Sequence, residues 1–293
     1  MNIGLGTVQF GLDYGVSNQN GIPSADAVSS ILNFASDKDI QVLDTAALYG
    51  NSEEVLGAAL VTGHPFKIVT KTPHFNQPKI KSTDAELLTD CFHQSLSKTK
   101  QKALYALLIH HADDLLAEDG AYLIDAMLKL KDAGLVEKIG VSVYNEQQID
   151  QVLDRFNIDI LQLPINVLDQ RLLASGKLGK LKHLGIEVHA RSLFLQGILL
   201  MDVSALPKYF EPARELLTKY HAFIALNNLT KVQGALSFAK ACHSIDHIIL
   251  GVSTLPELKE LTDAWEGLPD KQLDFSDYAC NSELILNPAS WKL

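Results

Sequence analysis

A single closed (β/α)₈ barrel, the TIM-barrel form of the α/β class, is the fold this sequence predicts, on three observations. Short apolar runs of strand type alternate with longer helical patterns from one end of the chain to the other. Eight such runs occur, mostly continuous in their apolar character, which suits parallel strands covered by helices. No low-complexity stretch or Pro/Gly/Ser-rich linker divides the chain, so its 293 residues read as one barrel rather than two domains. A doubly wound open sheet is the rival arrangement for the same alternation.

The strands are expected at residues 3–7, 41–44, 67–71, 105–110, 138–142, 160–163, 187–192 and 247–250. Ser24 opens a first helix over 25–38, with Val28, Ile31, Leu32 and Ala35 on one face. Ser52 precedes a helix at 53–60 and Thr83 one at 84–96, both with acidic first turns. Further helices are expected at 119–131, 146–156, 172–184, 211–220, 230–241 and 256–264. The barrel body then covers about residues 3–264, and residues 265–293 form a C-terminal tail over it. Rim loops that would meet a substrate are expected at 10–18, 74–78, 167–170 and in the tail after Asp274. Phe10, Tyr14, His74 and Trp291 fit surface packing there as well as they fit substrate contact.

Charge and cysteine content narrow the function classes. With 25 Lys and Arg against 35 Asp and Glu, the net charge is −10, which argues against a nucleic-acid partner. A small anionic ligand remains compatible, because it feels the local field. The N-terminus carries no signal-peptide pattern and no apolar run reaches the length of a membrane span. Cys91, Cys242 and Cys280 are widely spaced, without a CxxC, and read as reduced, mostly buried thiols of a soluble cytoplasmic protein. Gly4 and Gly6 lack the third glycine of a Rossmann fingerprint, and neither a P-loop nor a GxSxG elbow occurs. His110 and His111 are adjacent on a strand and point to opposite faces, so no metal site is expected.

In a barrel, chemistry sits at the carboxyl ends of the strands. Those positions are Thr7, Asp44, Lys71, His110, Ser142, Gln162, Arg191 and Gly251, nearly all polar at the close of apolar runs. Tyr49 follows Asp44 in the same loop. A phenol beside a buried ammonium is a proton donor whose pKa the positive charge brings down from about 10. A carboxylate paired to that lysine fixes it, and a neutral imidazole orients a carbonyl oxygen. Asp44, Tyr49, Lys71 and His110 thus protonate an oxygen as charge develops on it. None of them donates hydride, so a cofactor must. Each of the four, taken singly, also fits a purely structural role.

These blocks resemble the aldo/keto reductase superfamily. LDTAALYGNSEEVLGAAL (43–60), IVTKTP (68–73), LLIHH (107–111), GLVEKIGVS (134–142), DILQLPIN (159–166), ARSLFLQGILL (190–200) and IILGVSTLPELKEL (248–261) follow its order. The resemblance implies a barrel that binds a nicotinamide dinucleotide, usually NADPH, across the strand ends. It casts Tyr49 as general acid, Lys71 as the group lowering its pKa, Asp44 as the partner of Lys71 and His110 as the carbonyl-orienting residue. Ser142 and Gln162 take its amide-binding positions, with Gly6 and Thr7 near the cofactor. Ser192, Leu193, Gln196 and Gly197 fall in its pyrophosphate loop. Gly251, Ser253, Thr254, Glu257 and Glu260 fall in its adenosine-phosphate segment.

Three departures stand out. Ser142 is followed by Val143 where the family commonly has Asn, so one carboxamide contact is lost or replaced. Arg191 stands where many members stack a tyrosine on the nicotinamide, and its charge disfavours the oxidised ring. Glu257 aligns near an arginine that often holds the 2′-phosphate. NADP is expected on family grounds, with Lys259, Ser253 or Thr254 as substitute contacts, while a diol-binding Glu257 would suit NAD. The implied activity is reduction of an aldehyde, ketone or sugar carbonyl, or the reverse oxidation, and LGTVQFGLDYGVSNQNG (5–21) resembles members acting on carbohydrate derivatives. The alternative is a dinucleotide-binding regulatory subunit with little or no turnover.

Overall fold

A computed structural model describes residues 1–291, so the last two residues of the expected tail lie outside the described ones. Eight strands close a barrel in sequential order, every neighbouring pair parallel: β1 (Asn2–Gly6), β2 (Val42–Asp44), β3 (Lys67–Lys71), β4 (Leu104–Ile109), β5 (Val136–Ser142), β6 (Ile160–Pro164), β7 (Glu187–Arg191) and β8 (His247–Gly251). Each strand lies within two residues of its expected place. Closure rules out the open sheet and leaves no free edge.

The outer layer comprises α1 (Ala25–Asp37), α2 (Ser52–Ala59), α3 (Ser82–Thr99), α4 (Ala112–Leu116), α5 (Ala121–Asp132), α6 (Glu146–Arg155), α7 (Arg171–Ala174), α8 (Lys177–His183), α9 (Arg214–Leu226), α10 (Lys231–Ala241) and α11 (Leu255–Glu266), with α12 (Glu283–Leu286) in the tail. Ser24 caps α1 as expected, accepting from the Ala27 N–H, and the helix buries Val28, Ile31, Leu32 and Ala35. Ser52 does not cap α2. Its hydroxyl donates instead to the Thr7 carbonyl at 2.8 Å, and Asn51 precedes the helix. Helix α3 starts one residue before Thr83, with the Asp84 carboxylate closing back on the Lys81 N–H.

The helix expected over 172–184 is two short ones, because Gly176 adopts a left-handed backbone (φ +73°) between them. The segment expected as a helix over 211–220 begins with a 3₁₀ turn at Lys208–Ala213 and then runs on as α9 to Leu226. Helix α4 was not expected.

Several rim expectations are corrected. Phe10 is fully buried in the core, where neither surface packing nor substrate contact describes it. Residues 167–170 are buried as well, and they anchor the tail: Gln170 Nε2 donates to the Phe275 carbonyl and the Cys280 N–H to the Leu168 carbonyl, both at 2.7 Å. Phe275 stacks edge-on against Phe223 and Phe238, and Trp291 against Phe210. Of the three cysteines only Cys242 is fully buried.

Most apolar side chains pack between sheet and helices, while a smaller cluster with Val42, Val69, Ala106, Leu108, Ile160 and Ile249 forms a second core. At the amino end of the barrel a polar group closes it. Glu187 accepts from the Tyr105 hydroxyl at 2.7 Å, pairs with Lys138, and shares a 2.7 Å bond with His189 Nε2. The His247 ring lies 4.9 Å from that of His189. Glu187, His189 and His247 have ligand-type atoms within 4.8 Å of one another, but the Lys138 ammonium already supplies the positive charge this carboxylate needs. Glu187 is the hub of this network, and cutting it out leaves Lys138 without its counter-charge. Glu187→Ala should therefore lower the unfolding free energy by about 3 kcal/mol in urea titrations.

Candidate active site

The residues that close the strands gather around a cavity of about 490 Å³ at the carboxyl end of the barrel. Lys71, the last residue of β3, is 1% exposed and donates to Asp44 Oδ2 at 2.7 Å and to the Thr45 carbonyl at 2.9 Å. Asp44 Oδ1 accepts from Gln162 Nε2 at 2.7 Å, so one carboxylate ties β2, β3 and β6 together. A carboxylate only accepts, which forces the Gln162 amide nitrogen toward Asp44. The Gln162 Oε1 is then left buried without a partner. Beside it on the neighbouring strand stands the buried Ser142 hydroxyl, the two residues being in register. A free acceptor next to a hydroxyl donor matches the NH₂ and C=O groups of a carboxamide. Burial draws the Lys71 ammonium below its ordinary range, and the Asp44 carboxylate opposes that.

Tyr49 lies on the loop after β2, pressed against the loop after β1. A Cβ at Gly11 would stand 2.0 Å from the Tyr49 carbonyl, and one at Gly50 (φ +58°) 2.2 Å from the Gly11 carbonyl, so this approach requires glycine on both sides. The Lys71 Nζ sits 5.0 Å from the Tyr49 ring centroid, and the His110 ring stands edge-on at 5.8 Å. The expectation that Lys71 brings the phenol down is not met. Burial, and then the Asp44 carboxylate, push it well above its ordinary value, and the cation opposing them is Arg191. Lys71 carries little net influence because Asp44 matches its charge at 2.7 Å. Tyr49 is therefore held as a neutral phenol.

His110 follows β4, its N–H donating to Thr72 Oγ1 at 3.1 Å and its Nδ1 buried without a partner. Burial first, then the neighbouring Lys71, hold the imidazole down at about 2, so the ring is neutral. His74 packs on it with ring centroids 4.7 Å apart and also meets His111 at 5.5 Å.

Gly6, Thr7, Asp44, Tyr49, His110, Ser142 and Gln162 all line the cavity. So do Arg191, Ser192, Leu193, Gln196, Gly197, Gly251, Ser253, Glu257 and Glu260. Two expected site residues do not. Lys71 lies beneath the lining, and Thr254 caps α11, its hydroxyl accepting from the Glu257 N–H at 3.3 Å.

Arg191 stacks on Tyr144 with its guanidinium carbon 4.3 Å from the ring centroid and donates to the Val143 carbonyl at 3.2 Å. Among the described residues no carboxylate lies within salt-bridge distance of it, so its charge faces the cavity unmatched. Tyr144, Gln9 and Asn20 are the contributors that sequence reasoning missed. An aromatic two residues past the Ser142 strand end was the available signal for Tyr144; nothing local marked Asn20. The loop holding Asn20 runs between two parts of the rim. The Val16 N–H donates to the Gln196 carbonyl at 3.1 Å, and Asn20 Nδ2 to Glu257 Oε1 at 3.0 Å.

Together these features give a barrel with an ion pair, a phenol and a neutral imidazole at the strand ends, beside a long cavity with a free amide oxygen and a hydroxyl at one corner. A family model narrows this further, matching the Aldo/keto reductase family over residues 2–277, and the chain belongs to that family. It is similar to aldo-keto reductase family 1 member C18 of Rattus norvegicus, 32% identical over 140 residues that make up 41% of this chain and 43% of that protein. The chain spans about half the length of the curated relatives it matches. Among solved structures, a Bacillus halodurans aldo-keto reductase in its holo form superposes with a TM-score of 0.72 at 18% identity, covering 94% of this chain and 90% of the other. A Bombyx mori aldo-keto reductase in complex with NADP gives a TM-score of 0.66 at 22% identity, over 97% and 90% of the two chains. Among the described residues no helix is long and apolar enough to cross a membrane.

Burial holds His110 at about 2 and His247 at about 4, whereas both take up protons near about 6.5 in an unfolded chain. Below that value the unfolded state binds protons that the folded state refuses, so stability falls as the pH falls. Urea midpoints should drop between about pH 7.5 and pH 5, and His247→Gln should shrink the drop.

Proposed function

We propose that this protein is an NAD(P)H-dependent carbonyl reductase acting on an aldehyde, ketone or sugar carbonyl, or catalysing the reverse oxidation. The observation carrying this reading is the Lys71–Asp44–Gln162 chain of bonds beneath Tyr49, which leaves the Gln162 Oε1 free in the same cavity as His110. Gln162 and Ser142 suit the carboxamide of a nicotinamide, and Gly6, Thr7, Ser192, Leu193, Gln196, Gly197 and Gly251 line the rest of its channel. A reduced nicotinamide, when bound, supplies the hydride for the carbonyl carbon.

The chain's own residues handle the oxygen. Tyr49, kept protonated by burial, donates its proton to the oxygen as that atom becomes an alkoxide and is left as phenolate. The unmatched Arg191 charge stabilises that phenolate. The neutral His110 ring orients the carbonyl oxygen beside the phenol. Running in reverse, the phenolate accepts the alcohol proton.

Tyr49→Phe should cut carbonyl reduction about 10²- to 10⁴-fold, while leaving the nicotinamide dissociation constant within about threefold. Stopped-flow and steady-state assays over a panel of aldehydes, ketones and aldoses check both. Unchanged turnover rejects Tyr49 as the acid. Wild-type protein that binds nicotinamide yet turns over no carbonyl is the result expected of a silent regulatory binder.

Arg191 bears on the redox form bound. A cation without a carboxylate partner repels the positively charged oxidised ring and tolerates the neutral reduced one. The ratio of dissociation constants, oxidised over reduced, should therefore fall on Arg191→Leu. Titrations of both forms against both proteins measure it, and an unchanged ratio removes Arg191 from this role.

A further inference from the structure

The end of the same cavity that the family resemblance assigns to the adenosine carries a second decision. Glu257, on the first turn of α11, turns its carboxylate back onto the helix start. Its Oε2 accepts from the Ser253 N–H at 2.7 Å and the Thr254 N–H at 3.3 Å, and its Oε1 from Asn20 Nδ2 at 3.0 Å. These are donors of the kind that would otherwise be offered to an incoming anion at a helix start. Further along that start, Pro256 has no N–H, and the Glu257 N–H bonds Thr254 Oγ1 at 3.3 Å. A protein carboxylate occupies the place a phosphate would use.

No cation relieves this. Among the lysines and arginines of the described residues, only Arg191 lines the cavity, and its guanidinium is held at the far side against Tyr144 and the Val143 carbonyl. Lys259 turns away, with its Nζ 5.6 Å above the Phe34 ring of α1, and borders a separate hollow. Glu260 adds a second carboxylate to the cavity lining. Glu257 has three donors on a group with about four acceptor sites, which leaves capacity for a sugar hydroxyl.

We propose that this chain selects a nicotinamide dinucleotide with a free 2′-hydroxyl, NAD(H), and that Glu257, held by Asn20 and the Ser253 and Thr254 amides, rejects the 2′-phosphate of NADP(H). The proposal rests on the dinucleotide reading above and reverses the cofactor expected from family resemblance. A 2′-phosphate carries nearly two negative charges at neutral pH and would meet two carboxylates with no counter-charge.

Calorimetric titration of the whole protein with NADH, NADPH, 5′-ADP and 2′,5′-ADP tests it without recourse to turnover. NADH should bind at least about tenfold more tightly than NADPH, and 5′-ADP more tightly than 2′,5′-ADP by a similar ratio. Glu257→Gln, which removes the charge and keeps one acceptor oxygen, should narrow the NADH–NADPH gap mainly by improving NADPH. A gap that Glu257→Gln leaves intact overturns the role given to Glu257. NADPH binding as tightly as NADH, or 2′,5′-ADP as tightly as 5′-ADP, in the wild type overturns the proposal while leaving the dinucleotide reading in place. Binding of none of the four overturns that reading too. The two adenosine probes decide the matter on wild-type protein even if the variant does not fold.

Discussion

The ion pair between Lys71 and Asp44 is the constraint on which the rest of the site depends. An ammonium buried at the end of β3 is tolerable only with a counter-charge and filled hydrogen bonds, and it has both in Asp44 and the Thr45 carbonyl. Meeting that need fixes where β2, β3 and β6 stand at the carboxyl end, because Gln162 takes the other Asp44 oxygen. It also fixes what is left over. The Gln162 carbonyl oxygen is freed into the cavity, and the Lys71 charge is largely neutralised before it reaches Tyr49. The acidity of the phenol is thus controlled less by the lysine beneath it than by its own burial and by the guanidinium across the cavity.

The barrel separates its polar duties by height. The carboxyl rim carries the Asp44, Lys71, Tyr49 and His110 group, the apolar cluster with Val42, Ile160 and Ile249 packs below it, and the amino end is closed by Glu187 with Lys138, Tyr105 and His189. Chemistry at the rim can then vary without loosening the floor. The loop after β1 links the two ends of the cavity, bonding the 192–197 segment through Val16 and the α11 start through Asn20. The elements that shape the channel therefore come from distant parts of the chain.

The strands were legible because each is a short apolar run, closed in all but the eighth by a polar residue, a signal that lies within a few positions. Helix starts were legible where the cap is local, as at Ser24 and Thr230. The local rule failed where a distant group claimed the same atom. Ser52 has the chemistry of a cap, yet the Thr7 carbonyl takes its hydroxyl. Phe10 and residues 167–170 look like rim loops by position and composition, but the core and the tail claim them. Tyr144 escaped notice because its importance comes from Arg191, on a strand 47 positions further along.

The sequence by itself determined the barrel, the strand ends and the four residue types that could move a proton to a carbonyl oxygen, because periodicity and strand-end polarity are properties of neighbouring residues. It also showed that an acidic residue stands where a phosphate-binding arginine was expected. Only the tertiary structure decided what that residue does. Glu257 is satisfied by its own helix start and by Asn20, 237 positions away, and Lys259, its nearest basic alternative in the chain, faces another helix. Hydrogen-bond partners, burial and the direction of a pKa shift are set by which groups share a space, and that sharing exists only once the barrel has closed.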